Sequence, residues 1–204
     1  MKQSRTVGVV DYGVGNHASV WRSLHALGYR CRVTSDTEVL DSTDLILLPG
    51  VGAFPPAIEA IETRGLGEYL RAQARDGKPL LGICLGMQLM ADESSEFGQT
   101  AGLGLIPGKV LPLKHTKWHI GWNTFEAVGR DSLLRSIDGK SVYFNHSFVF
   151  ESPVELCVGV ARLEQPFVVA VRRDNVVGLQ FHPEKSQATG LEALKHVIDG
   201  LCDA

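Results

Sequence analysis

The chain has 204 residues, of which 44% are hydrophobic and 21% charged, enough for one globular domain with a buried core. A formal net charge of −3 gives no general attraction to nucleic acid or to anionic membranes. No apolar run approaches the length of a bilayer span or of a secretory signal, so we expect a cytoplasmic protein in which residues 1–204 form a single domain.

The first half of the sequence alternates between patterns typical of strands and of helices. Short apolar runs that end at turn residues predict strands in TVGVV, RCRVTS, DLILLPG and KPLLGIC. Apolar residues at helical spacing predict helices after the first strand, from about Ala57 to Arg75, and from Leu85 to about Ser94. Because the strands are apolar at successive positions, we expect a parallel sheet covered on both faces, in a three-layer α/β domain.

The second half of the sequence has a different pattern. From Gly102 to Val177 the chain is rich in strand-forming segments joined by turn pairs such as Asp-Gly and Asp-Asn. We expect these strands to extend the sheet in antiparallel or mixed fashion. A last helix is predicted over Leu191 to Leu201.

Cys84 lies in the segment Gly82–Gly86, GICLG, which has the form of a nucleophile elbow. In such an elbow a reactive residue ends a strand, small residues let the strand and the next helix cross closely, and the helix N-terminus favours thiolate over thiol. The main-chain N–H of Leu85 would then face a developing oxyanion. A buried cysteine that merely packs at a glycine-bordered turn would show the same pattern.

A second segment, LQFHPEKS, favours the catalytic interpretation. His182 precedes a proline, which biases it to an extended conformation, and residues two apart in extended chain point the same way. Glu184 can therefore reach the imidazole of His182, so one segment supplies a base and the carboxylate that orients it. Both segments follow predicted strands at their carboxyl ends, where α/β sheets place their sites.

The quoted segments carry a family resemblance. GICLGMQL with FHPE resembles the class I glutamine amidotransferases, and DYGVGNHASV, LPGVGAF, HIGWN and YFNHSF narrow the resemblance to glutaminase subunits of imidazole glycerol phosphate synthase, over about residues 7–200. The resemblance implies a flavodoxin-like α/β/α fold and hydrolysis of glutamine to glutamate and ammonia without a cofactor. It also implies a (β/α)8-barrel cyclase partner, which uses the ammonia to make imidazole glycerol phosphate and AICAR in histidine biosynthesis.

The same resemblance implies the roles of individual residues. The catalytic triad would be the nucleophile, the general base and acid, and its orienter: Cys84, His182 and Glu184. The oxyanion hole would use the main chain of Val51, Gly52 and Leu85. Glutamine would be bound by Gly52, Gln88, Glu96, Ser147 and Phe148. The residues that would face the partner are Asn16, Trp122, Tyr143 and Lys185.

Other interpretations remain open from the residues alone. The segment GVGNHA with Asp36 about 20 residues later fits a dinucleotide-binding fingerprint, although a short glycine motif is weak evidence. A thiol hydrolase without a partner, a regulatory module with a vestigial site, and an amidotransferase subunit serving another acceptor, such as a surface sugar, are further alternatives. The cysteines and histidines lack metal-ligand spacing, so we expect no metal site, free thiols, and structural roles for His119 and His146.

Overall fold

The structure, a computed structural model, describes residues 5–131 and 133–203. The helices are α1 (His17–Ala26), α2 (Thr37–Asp41), α3 (Phe54–Thr63), α4 (Leu66–Arg75), α5 (Leu85–Leu89) and α6 (Gln187–Cys202). The strands are β1 (Thr6–Val10), β2 (Arg30–Thr34), β3 (Leu45–Leu48), β4 (Leu80–Ile83), β5 (Glu93–Ser94), β6 (Thr100–Ala101), β7 (Lys109–Pro112), β8 (His119–Thr124), β9 (Glu126–Ala127), β10 (Ser141–His146), β11 (Phe148–Glu151), β12 (Cys157–Arg162), β13 (Pro166–Arg173) and β14 (Val176–Leu179). Single 3-10 turns lie at Arg135–Ile137, Val154–Leu156 and Pro183–Lys185.

The central sheet has eight strands in the order β2-β1-β3-β4-β14-β13-β12-β9. Strands β2, β1, β3, β4 and β14 are mutually parallel, and β13, β12 and β9 continue the sheet antiparallel. This confirms the expected parallel sheet and its antiparallel extension by β9, β12 and β13. The expectation is wrong for β7, β8, β10 and β11, which form separate sheets instead of extending the central one. The strand order is flavodoxin-like and differs from that of a Rossmann fold. Asp36, which completed the dinucleotide-binding fingerprint in the sequence, caps α2 by accepting a hydrogen bond from Glu38 N.

Two apolar cores lie on opposite faces of this sheet. In β3, Leu45 and Leu47 belong to the core that contains the apolar side chains of α1 and α6. Ile46 and Leu48 belong to the other core, with residues of α2, α3, α4 and α5. Since alternate residues of a strand point to opposite faces, helices cover both sides, and the three-layer architecture is confirmed.

Two smaller sheets lie beside the central one. Strands β8 and β10 form an antiparallel pair, and β11, β7, β5 and β6 form a four-stranded sheet. β10 leads through Ser147 directly into β11, so the chain passes from one small sheet to the other within a single residue. In the described part of the chain, no helix combines the length and apolar character required to cross a membrane.

The predicted helix from Leu85 to about Ser94 is wrong in its second half. α5 ends at Leu89, because the carbonyl groups that would continue the helix accept hydrogen bonds from a later loop. Leu103 N donates to Leu89 O at 2.8 Å, and Leu105 N donates to Met90 O at 2.9 Å. The chain then enters β5 instead.

Two other helix boundaries and the burial of one strand also differ from the sequence prediction. The helical segment from Ala57 to Arg75 is two helices, α3 and α4, separated at Gly65, whose φ of 70° is left-handed. α6 begins at Gln187 rather than Leu191. β2 is an edge strand with no fully buried residue rather than a strand buried on both faces. The arginines of RCRVT blunt this edge against pairing with another chain.

Candidate active site

Cys84 occupies a strained turn between β4 and α5, with φ 54° and ψ −110°. A non-glycine residue in such a conformation costs about 1–3 kcal/mol, and strain of this kind clusters at functional sites. A Cβ at Gly82 would lie 2.7 Å from Gly86 O, and one at Gly86 would lie 1.9 Å from Leu48 O. The two glycines therefore allow the close crossing of strand and helix that the elbow motif predicts.

His182 and Glu184 follow β14, the strand that lies beside β4 in the sheet. His182 is extended, with φ −96° and ψ 92°, as predicted, whereas Pro183–Lys185 form a 3-10 turn. His182 Nδ1 lies 2.8 Å from Glu184 Oε1, and both side chains are only 2% exposed. Because the carboxylate is an acceptor, Nδ1 carries the proton, and Nε2 is left to interact with the thiol of Cys84.

The imidazole of His182 is tuned by competing effects. Burial lowers its pKa, but hydrogen bonds to the Cys84 and Glu184 side chains and their negative charges outweigh burial and raise the pKa to about 9. The imidazolium form is thus stabilised at neutral pH when a thiolate lies beside it. This arrangement can deliver a nucleophilic sulfur and a proton donor to the same ligand.

A cavity of about 230 Å³ opens beside Cys84 and His182. It is smaller than the roughly 300–1,000 Å³ of pockets for drug-sized ligands, and so suits a metabolite of amino-acid size. It is lined by Val51, Gly52, Cys84, Leu85, Gln88, Glu96, Asn145, His146, Ser147, Phe148 and His182. Every residue that the sequence assigned to an oxyanion hole or to glutamine binding is therefore at this cavity.

Two polar side chains of the cavity are held by the surrounding main chain. Gln88 Nε2 donates to Phe148 O at 3.0 Å. Glu96 Oε2 accepts from Phe54 N at 2.8 Å, at the start of α3. Both side chains are thereby fixed before any ligand binds, which lowers the entropic cost of recognition.

A buried histidine pair supports one wall of the cavity. His146 Nδ1 lies 2.9 Å from Phe148 O, and His119 Nδ1 lies 3.0 Å from His146 Nε2. The carbonyl can only accept, so His146 carries its proton on Nδ1 and accepts from His119. Burial lowers the pKa of His119 and lowers that of His146 to about 4, so both rings are neutral. The structural role expected for these histidines is confirmed.

The sequence prediction missed three residues that contact the side chain of Cys84 or the main chain of His182. Gln180 is fully buried, and its Nε2 lies 3.8 Å from Cys84 Sγ. Asn145 O lies 3.8 Å from the same sulfur. Ser186 Oγ donates to His182 O at 2.7 Å. The signal for Gln180 was a polar residue within an apolar strand, two residues before His182.

Three of the four residues assigned to a partner interface form one exposed cluster. The ring of Trp122, 49% exposed, lies edge-on to Tyr143, and Lys185 Nζ lies 5.8 Å from the centre of the Tyr143 ring. Ile120 alternates with Trp122 along β8 and is exposed on the same face, and Trp118, just before the strand, is exposed as well. The fourth residue, Asn16, lies apart from this cluster and caps α1 through Ser19 N.

A larger apolar cavity, of about 510 Å³, lies between β11, β12 and β13. Cys157 is at its wall, and burial raises the pKa of this thiol, so it is not an activated nucleophile. All four cysteines are free thiols. Within residues 5–131 and 133–203, no group of three or more His, Cys, Asp or Glu side chains could hold a metal ion.

Comparisons with known proteins give a consistent result. A family model described as "Glutamine amidotransferase class-I" matches residues 8–198. The imidazole glycerol phosphate synthase subunit HisH of Lacticaseibacillus casei (strain BL23) is 43% identical over 191 residues, which are 92% of each chain. The subunit of the same name from Wolinella succinogenes is 42% identical over 202 residues, covering 95% of this chain and 98% of the relative.

Two solved structures share the fold. The structure of PurLQS from Thermotoga maritima aligns with a TM-score of 0.79 at 19% identity, covering 98% of this chain and 100% of that one. A glutamine amidotransferase crystal structure aligns with a TM-score of 0.75 at 21% identity, covering 97% and 99%. At these identities the likeness establishes the architecture alone.

Proposed function

Because the chain belongs to the class I glutamine amidotransferase family, we propose that it is the glutaminase subunit of an imidazole glycerol phosphate synthase. In this proposal residues 1–204 act as one cytoplasmic domain that hydrolyses glutamine and passes ammonia to a cyclase subunit in histidine biosynthesis. The observation that carries the proposal is the cavity where Cys84 and His182 meet, with Glu184 buried behind the imidazole. This supplies nucleophile, acid and orienter at a site of amino-acid size.

The first step is acylation of the sulfur. The Cys84 thiolate attacks the side-chain carboxamide carbon of glutamine, and the carbonyl π electrons move to oxygen. The amides of Leu85 and of the Val51–Gly52 segment line the cavity where that oxyanion forms, and each aligned donor is worth about 3–4 kcal/mol. His182 Nε2 then protonates the departing nitrogen, so the C–N bond breaks and ammonia and a thioester remain.

The second step is hydrolysis of the thioester. His182, now neutral, accepts a proton from water while the water oxygen attacks the thioester carbon. The C–S bond breaks, glutamate leaves, and the thiolate and imidazolium are restored. Glu184 holds the Nδ1 proton through its hydrogen bond in both steps, which keeps Nε2 on the side of the substrate.

Two fixed side chains support selection of glutamine. The amide nitrogen of Gln88 is already occupied by main-chain and side-chain acceptors, so its oxygen remains to accept a hydrogen bond from the ligand. Glu96 supplies a carboxylate at the same cavity, which suits the α-ammonium group of an amino acid. Phe148 takes part through its main chain, whose carbonyl accepts the hydrogen bond that orients Gln88.

A partner experiment tests the proposal directly. The chain is mixed with a candidate (β/α)8-barrel cyclase, and glutamate release is followed with and without the nucleotide acceptor. We expect glutamine-dependent formation of imidazole glycerol phosphate and AICAR. In the Cys84→Ala variant we expect loss of glutamine use, while synthesis from added ammonium salt by the same complex continues.

The control arms separate the alternatives. Glutamine hydrolysis without any product from the cyclase's nucleotide acceptor would indicate an amidotransferase subunit that serves another acceptor. Glutamine hydrolysis that persists in Cys84→Ala would contradict the proposed nucleophile.

A further inference from the structure

Gln180 connects the glutamine cavity to the nucleophile without lining the cavity itself. Its side chain is fully buried, its Oε1 lies 3.0 Å from Gln88 Nε2, and its Nε2 lies 3.8 Å from Cys84 Sγ. Its main-chain N–H donates to Val169 O at 2.8 Å, which anchors it to the neighbouring strand β13. A fully buried amide this close to a reactive sulfur needs a partner for every polar atom.

The orientation of the Gln180 amide follows from a fixed acceptor elsewhere in the network. The carbonyl of Phe148 can only accept, so Gln88 must turn its nitrogen toward it, at 3.0 Å. The second hydrogen of that nitrogen then faces Gln180, whose oxygen must accept it. The nitrogen of Gln180 is consequently directed at Cys84. The reverse orientation would oppose two N–H donors and place an oxygen against the sulfur.

The same main-chain carbonyl is fixed from its other side. His146 Nδ1 lies 2.9 Å from Phe148 O, and His146 accepts from His119. Both lone pairs of the carbonyl are therefore used, by Gln88 and by His146. The donor direction at Cys84 is thus set by a chain of hydrogen bonds that begins at β8.

We propose that the side-chain amide of Gln180 donates a hydrogen bond to the Cys84 thiolate and is a further catalytic residue of the reaction. The inference rests on the proposed glutaminase activity and adds a residue that acts on the reacting sulfur itself. A thiolate is a stronger acceptor than a thiol, so the N–H group favours the ionised nucleophile before attack. It also stabilises the sulfur when it leaves the thioester in the second step.

Gln180→Met is the principal test, since it conserves volume and removes the donor. The full chain in complex with its cyclase is treated with iodoacetamide over a range of pH, and modification of Cys84 is quantified by peptide mass spectrometry. The free energy of a hydrogen bond to a charged group shifts a pKa by about one unit or more. We therefore expect the pH at which alkylation of Cys84 is half-maximal, the alkylation midpoint, to rise by about one unit. At pH values below the midpoint, the rate of Cys84 alkylation should then be about tenfold lower than in the wild type.

Kinetics distinguish this role from a merely structural one. We expect kcat for glutamine to fall about tenfold in Gln180→Met, with KM within about threefold of the wild type, because Gln180 does not line the cavity. Gln180→Glu keeps an acceptor for Gln88 but replaces the donor with a carboxylate oxygen, so its alkylation midpoint should rise further. Gln73→Met is the matched control, since Gln73 Nε2 donates to Asp41 Oδ1 at the surface. Its alkylation midpoint, kcat and KM should equal those of the wild type.

Two results would overturn the inference. One is an alkylation midpoint in folded Gln180→Met that stays at the wild-type value. The other is a fall in kcat/KM caused by KM alone, which would mean that Gln180 serves only to hold Gln88. If Gln180→Glu does not fold, the methionine variant decides by itself. Failure of the proposed function is separate, since the wild type would then release no glutamate while the alkylation midpoints still report the contact.

Discussion

The carboxylate of Glu184 determines which nitrogen of His182 meets the sulfur. Its oxygen Oε1 lies 2.8 Å from Nδ1, and the pair is almost fully buried. In Glu184→Gln the side chain keeps its size but loses its charge, so the imidazolium is less stable and the opposite tautomer becomes accessible. We expect kcat for glutamine hydrolysis to fall by about 10²–10⁴-fold, measured as glutamate release by the complex.

The same variant should change the pH profile. Glu184 helps to raise the pKa of His182, so the neutral replacement lowers that pKa and the proton needed for ammonia departure is lost at lower pH. The alkaline limb of kcat/KM should therefore move to lower pH. Glu192→Gln removes a surface carboxylate that pairs with Lys140 and serves as the control. Equal effects of the two substitutions would exclude a specific role for Glu184.

His182 also links stability to pH. Burial lowers its pKa, but the Cys84 and Glu184 side chains raise it to about 9, above the ordinary 6.5. The folded state therefore binds this proton more tightly than the unfolded state, so the stabilisation is fully present below about pH 6.5 and is lost as the pH rises through about 9.

We expect the wild type to exceed His182→Gln in free energy of unfolding by a margin that shrinks across this window. Urea unfolding of both chains at several pH values between about 6 and 10 measures the margin. A margin that stays constant with pH would show that the imidazole is not held protonated.

At the level of elements, β10 connects the exposed aromatic cluster to His182, the proposed general base. Tyr143 O accepts from His182 N at 2.8 Å, and Tyr143 N donates to Ser186 Oγ at 2.9 Å. The same hydroxyl donates to His182 O at 2.7 Å, and Ser186 is only 1% exposed. One hydroxyl thus completes the connection between a strand and the main chain of His182.

Ser186→Ala should therefore affect both stability and rate. It removes the acceptor of the Tyr143 N–H and one of the two donors to the His182 carbonyl, which keeps only Lys185 N, so we expect a loss of about 1–3 kcal/mol in free energy of unfolding. Because His182 loses an anchor, kcat should fall about tenfold, which corresponds to about 1.4 kcal/mol. Urea unfolding and glutamate release measure the two effects.

A matched serine provides the control for this substitution. Ser42 is exposed and donates to Val39 O at 2.6 Å, so Ser42→Ala should change stability by less than about 0.5 kcal/mol. A Ser186→Ala chain with unchanged unfolding and unchanged kcat would mean that β10 and His182 are held by other contacts.

Some elements could be predicted from the sequence because neighbouring residues alone determine them. The apolar runs of β1, β3 and β4, and Gly82 and Gly86 around Cys84, specify strands and a tight crossing from nearby residues alone. The early end of α5 was not readable, because the groups that stop it belong to residues 103–106. A helix pattern cannot report a competing acceptor or donor that arrives from a distant segment.

For the whole molecule, the distinction between local and long-range causes also separates the proposed triad from the residues that support it. Cys84, His182 and Glu184 lie in two short motifs that suggest their own chemistry. Gln180 contacts Gln88 and Cys84, and His119 contacts His146, all of them far along the chain, so their contribution appears only when the strands are assembled. The residues expected to bind glutamine were assigned by family resemblance, and the fold brings them to one cavity.

The assembly with a partner is the property that belongs to the molecule as a whole. Ile120 and Trp122 expose 60% and 49% of their surface on one face of β8, Trp122 packs edge-on to Tyr143, and Trp118 just before the strand is 61% exposed. Adjacent exposed apolar side chains of this size mark an interaction surface, and tryptophans buried in an interface contribute much of its binding energy.

We expect Trp122→Ala to weaken binding of the cyclase by about 30-fold, or about 2 kcal/mol, in isothermal titration calorimetry. Trp21→Ala, an exposed tryptophan stacked on a histidine of α1, should bind within about twofold of the wild type. Unchanged binding by Trp122→Ala would show that the interface with the cyclase does not include this face of β8.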